Sequence, residues 1–68
     1  MRKVKAEDLK VGDRIEVPDD KQDRDGEVVA VEAVDREGEP AMMVELELEG
    51  GAFVTRVRAP DFEFSVVD

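Results

Sequence analysis

The sequence predicts an all-β domain of five short strands rolled into a small barrel, on three observations. Polar and apolar residues alternate with period two in several short runs. Glycine- or proline-bearing turns separate those runs at short intervals. Valine, a β-branched residue that strands favour, is frequent in those runs. With 68 residues the chain has room for one domain, 1–68, whose core must be compact.

Ala6-Glu7-Asp8-Leu9-Lys10-Val11-Gly12-Asp13 reads as a short helical turn or tight bend, with Leu9 and Val11 pointing one way and Gly12 permitting the reversal. Arg14-Ile15-Glu16-Val17 alternates, so Ile15 and Val17 face inward until Pro18 stops the ladder. Asp19 to Gly26 is polar throughout and predicts the longest and least rigid loop. Glu27 to Asp35 is rich in valine, with apolar residues at both parities, which predicts a bent strand buried partly on both faces. Arg36-Glu37-Gly38-Glu39-Pro40 is a turn with Gly38 at positive φ.

Met42, Val44, Leu46 and Leu48 then alternate with Met43, Glu45, Glu47 and Glu49, an apolar face against an acidic one. Gly50-Gly51 predicts a two-residue hairpin connection. That register sets Leu48 opposite Phe53, Glu45 opposite Arg56 and Val44 opposite Val57. Phe53 and Val57 then fall inside, Met43 and Val54 outside. A slip of one residue would exchange the two faces. Ala59-Pro60-Asp61 predicts one 3₁₀ turn before a closing strand, Phe62 to Val66, which carries two of the three phenylalanines to the core.

The order of these elements resembles the SH3-like small barrel. Leu9-Lys10-Val11-Gly12-Asp13-Arg14-Ile15 is similar to the diverging turn of that superfamily, and Ala59-Pro60-Asp61 sits where its short helical turn precedes the final strand. The resemblance implies a five-stranded barrel and a binding role. Tryptophan and tyrosine are absent, so the aromatic groove on which SH3 domains dock proline-rich peptides is missing. The opening Asp-Leu-Lys-Val-Gly-Asp and the ending Phe-Glu-Phe-Ser-Val-Val-Asp also resemble small proteins of actinobacteria and their phages, which implies no biochemical role.

Composition narrows the function classes. Cysteine and histidine are absent, so nucleophilic triads and thiolate metal cages are excluded and a cytoplasmic setting is expected. Ser65 and Thr55 have no base of that type to activate them, and no cofactor is expected. The charged opening predicts neither a secretory signal nor a membrane span. Asp23-x-Asp25-Gly26 with Glu32 downstream echoes a calcium loop, but Lys21 stands where its first carboxylate belongs, so no metal site is expected beyond weak association.

Nineteen acidic against ten basic residues give a net charge of −9, which disfavours binding to nucleic acid or anionic lipid. Between Glu16 and Glu49 stand thirteen acids and three bases, Lys21, Arg24 and Arg36. The expected function is therefore a non-catalytic module whose carboxylates dock a basic or neutral protein partner, one form of which would mimic nucleic-acid phosphates. Its expected contact residues are Glu45, Glu47 and Glu49, the loop acids Asp19, Asp20, Asp23 and Asp25, and an outer apolar spot of Met43 and Val54. Two alternatives stand beside it. One is a structural barrel that forms homo-oligomers through its edge strands. The other is a direct nucleic-acid binder using Arg56 and Arg58 with Arg2, Lys3 and Lys5.

Overall fold

The computed structural model describes residues 2–67 and is all-β, with one antiparallel sheet. Six strands form it: β1 (Arg2–Lys5), β2 (Arg14–Glu16), β3 (Asp25–Arg36), β4 (Glu39–Leu48), β5 (Phe53–Arg58) and β6 (Glu63–Val66). Their order is β1-β6-β2-β3-β4-β5, and β1 and β5 do not pair, so the sheet is open. Two expectations change here. The strands number six rather than five, because Arg2–Lys5 pairs with β6 from Arg2↔Val66 to Lys5↔Glu63. The 3₁₀ segment lies at Ala6–Asp8, and residues 59–62 form a single turn closed by Phe62 N–H to Ala59 O at 3.0 Å.

The core lies on one face of the sheet. Ile15, Val28, Val44, Leu46 and Phe64 are its largest fully buried side chains, joined by Ala6, Leu9, Val17, Leu48 and Val66. Burial of each large apolar side chain contributes about 1.5–3 kcal/mol, which suits a chain this short. Leu9 joins the core but Val11, at 68% exposure, does not, so the two point apart rather than together. Phe64 is buried, whereas Phe62 stays outside and packs edge-on against it, ring centroids 4.9 Å apart.

The mixed parity of the valine-rich strand has a local cause. A β-bulge interrupts the β3–β4 ladder between Val28 and Ala30, leaving Val29 as the extra residue. Val28 and Val31 consequently both face the core, on either side of the irregularity. The hairpin beyond it turns through Glu37-Gly38, both at positive φ (53° and 83°), the signature of a tight two-residue connection. β3 begins at Asp25, so Gly26 belongs to the strand and not to the loop. It is buried, and a Cβ there would meet Leu46 Cβ at 3.1 Å and Leu48 Cδ2 at 3.2 Å.

The β4–β5 register differs by one residue from the sequence expectation. Glu47 faces Phe53, Leu46 faces Val54, Glu45 faces Thr55, Val44 faces Arg56, Met43 faces Val57 and Met42 faces Arg58. The connection takes three residues, Glu49-Gly50-Gly51: Gly51 N–H bonds Leu48 O at 3.0 Å and Leu48 N–H bonds Ala52 O at 2.7 Å. Gly50 and Gly51 both stand at positive φ, and a glycine there inserts a bulge beside the turn. The inward residues of β4 keep their expected side. Those of β5 exchange: Val54 packs against the core, and Phe53 is 60% exposed.

Candidate interaction face

The side of the sheet away from the core carries the candidate site, in rows set by register. Crossing from β2 to β5, one row reads Arg14, Glu27, Glu47 and Phe53; the next reads Ala30, Glu45 and Thr55; a third reads Glu32, Met43 and Val57. Glu16 and Asp25 face one another beyond the first row, and Val34 and Ala41 beyond the third. One half of the face is thus crowded with carboxylates, and the other holds Val34, Ala41, Met43 and Val57 around Glu32.

Glu27 and Glu47 stand directly opposite each other, and Glu45 follows Glu47 two residues along the same strand, about 7 Å away. Among the described residues, Glu27, Glu45 and Glu47 enter no ion pair or side-chain hydrogen bond, and all three are exposed. Like charges facing across a ladder cost free energy. Arg56, expected beside Glu45, lies on the other side of the sheet opposite Val44, where its Nε donates to Pro18 O at 2.8 Å.

The expected contact residues therefore separate. Glu45, Glu47 and Met43 share the outer face, and Glu49 sits at its edge in the turn. Val54 does not belong with them, because the three-residue connection turns it inward. Of the loop acids, Asp25 faces outward beside Glu16, and Asp23 lines a shallow hollow with Arg14, Arg24, Asp25 and Glu49. Asp19 and Asp20 are occupied within the fold. Asp19 Oδ2 accepts from Arg58 Nη2 at 2.7 Å.

Asp20 accepts from Arg24 Nε at 3.0 Å, Arg24 Nη2 at 2.9 Å and the Arg24 backbone N–H at 2.7 Å. The Arg24 guanidinium hydrogen bonds, with that backbone N–H, hold the Asp20 carboxyl far below the ordinary aspartate range and raise Arg24 in turn. This clasp ties down the loop that composition alone marks as the least rigid. Glu27, Val34, Ala41 and Val57 were not among the expected contacts. The clue to Glu27 was its position at the start of the valine-rich strand, but only the register reveals that it faces Glu47.

Asp23, Asp25 and Glu32 form no metal-binding cluster; among the described residues no group of three or more potential ligands comes together. Among the described residues no helix is long and apolar enough to cross a membrane. Of the basic residues expected to contact nucleic acid, Arg2, Lys3 and Lys5 lie on β1 and Arg56 and Arg58 on β5. No protein-family model, curated protein or solved structure matches the chain.

Proposed function

We propose that this protein is a non-catalytic interaction module of the cytoplasm, docking a basic protein surface on the outer face of β3, β4 and β5. The observation that carries the reading is the unpaired opposition of Glu27 and Glu47 with Glu45 beside them. A sheet built for stability alone would gain by placing a cation at either position. Carboxylates held at a cost are ready for cations from outside. Met43, Val57 and Val34, all half-buried, complete the face as an apolar half that adapts to a partner's contour, Met43 being the most pliable of them. A partner that ordinarily binds nucleic acid is one form of the same reading, because its cationic surface meets spaced anions in both cases.

The SH3-like relationship belongs to this proposal. Its support is the order β6-β2-β3-β4-β5, in which the closing strand returns beside the first of the meander. Direct nucleic-acid binding gains no support from Arg56 and Arg58, whose guanidinium groups are engaged with Pro18 O and the Asp19 carboxylate. The test uses the chain as bait in lysate of its native host, at rising ionic strength, beside the variant Glu27→Lys/Glu45→Lys/Glu47→Lys. Expected is a basic protein retained by the wild type, released as screening shortens below about 8 Å, and never retained by the variant. Equal retention by both rejects the reading.

A further inference from the structure

β5 is an edge strand, and its free side is occupied by arginines. Because Leu48 and Ala52 are a hydrogen-bonded pair, alternation along the ladder makes 46/54, 44/56 and 42/58 the bonded pairs and turns the backbone groups of Phe53, Thr55 and Val57 away from β4. Two of the outward carbonyls are taken. Thr55 O accepts from Arg56 Nη1 at 3.1 Å, and Val57 O accepts from Arg58 Nη1 at 2.9 Å and Arg36 Nη1 at 3.4 Å. The same side chains are anchored across the open seam of the sheet. Arg56 also reaches Pro18 O, while Arg58 reaches the Asp19 carboxylate and lies over the Phe62 ring, 5.4 Å from its centre.

An open β edge with exposed apolar side chains is a template for another strand. The residues of β5 also fit a copy of themselves. A two-fold axis through Thr55 would set Thr55 opposite Thr55, Phe53 opposite Val57 of the second copy on the outer face, and Val54 opposite Arg56 on the inner one. Met43, already beside Val57, would extend that apolar row across the junction. Phe53, the most exposed of the phenylalanines, would be covered by it.

We propose that β5 is a latent self-pairing edge, and that Arg36, Arg56 and Arg58 keep the protein monomeric by holding the carbonyls a second copy would need. The guanidinium group suits this role because its planar fork spans two acceptors at once, which a lysine ammonium on its flexible stem does not. Lysine at these positions retains the charge and loosens the caps.

The experiment compares the wild type with Arg36→Lys/Arg56→Lys/Arg58→Lys by sedimentation, with circular dichroism confirming the fold. The wild type is expected to sediment as a monomer. The lysine variant is expected to double its mass, and to do so more completely toward about 1 M salt, where repulsion between two chains is screened. Adding Thr55→Pro should return it to monomer, since the Thr55 N–H points away from β4 and only the second copy loses a donor. A folded lysine variant that stays monomeric at high salt overturns the proposal, as does a wild-type dimer indifferent to Thr55→Pro. Should the triple variant not fold, Arg36→Lys/Arg58→Lys frees Val57 O alone. Its Val57 amide must then exchange more slowly as concentration rises, and an unchanged rate overturns the proposal equally. The sign of the salt effect is opposite to that expected for docking on the outer face, so each proposal fails on its own result.

Discussion

β4 and β5 run side by side, and their inward residues face each other pair by pair, yet the two strands live in different environments. β4 sends Leu46 and Val44 into the core, both buried, and Met42, half-buried; opposite them β5 sends Val54, Arg56 and Arg58, all half-buried. Across the Leu46–Val54 and Val44–Arg56 pairs, burial therefore falls from complete to partial in one step of the sheet. β4 is held by packing, whereas β5 is held by its ladder and by guanidinium groups that reach over the seam. The difference teaches where sequence is constrained. A buried strand must satisfy its neighbours' shapes, and an edge strand must mainly satisfy its own polar groups.

The largest expected contrast lies within one cross-strand pair. Leu46→Ala empties a fully buried position and should cost about 2–5 kcal/mol in denaturant unfolding. Its partner Val54 is only half-buried, so Val54→Ala should cost less, about 1 kcal/mol. Similar losses at both sites would show that the core extends under β5 and would break the contrast. Next in size is Gly26→Ala, whose new methyl must displace Leu46 and Leu48. A loss of about 1–3 kcal/mol is expected for overpacking, and an unchanged midpoint would mean that β4 yields more easily than its burial implies.

On the outer face the sign reverses. Glu47→Lys places a cation opposite Glu27 and should raise stability by about 0.2–1 kcal/mol while weakening capture of a basic partner. A loss of stability would remove the argument that these carboxylates are kept at a cost. The smallest effect is local. Because the Asp20 carboxyl is lowered in the folded state, its contribution is fully present above the ordinary aspartate value near ~3.9 and is lost only as pH falls below it. Amide exchange in the loop around Asp20 and Arg24 should therefore stay constant from neutral pH to about 5 after correction for intrinsic rates. Asp20→Asn should speed it across that whole range.

The alternation of Met42 to Leu48 was legible because every second residue obeys it, and the core side of β4 follows. The irregularity of β3 was legible only in part: valines at both parities predicted burial on both faces, whereas a bulge at Val29 brings Val28 and Val31 to the same face. The β4–β5 register was not. Gly50-Gly51 marks a turn, but whether Glu49 belongs to it depends on backbone hydrogen bonds that no local pattern encodes. That single residue decided whether Phe53 or Val54 faced inward, and so which apolar residues joined the site. β1 escaped notice for another reason: Arg2-Lys3-Val4-Lys5 has the composition of a solvated tail, and its partner β6 lies at the far end of the chain. The Asp20 clasp and the arginine caps were equally hidden, because they join residues by geometry and not by spacing.

Val29 is the surplus residue of the β3–β4 ladder. Without an irregularity at that point, strict alternation from Val28 would turn Ala30 and Glu32 toward the interior and put Val31 out in water. One surplus residue thus lets a single long strand serve two differently angled parts of the molecule without ever asking a carboxylate to enter oil. Excising Val29 would leave the partners on both sides in step with β4 and remove the local kink and extra twist that a bulge gives its strand.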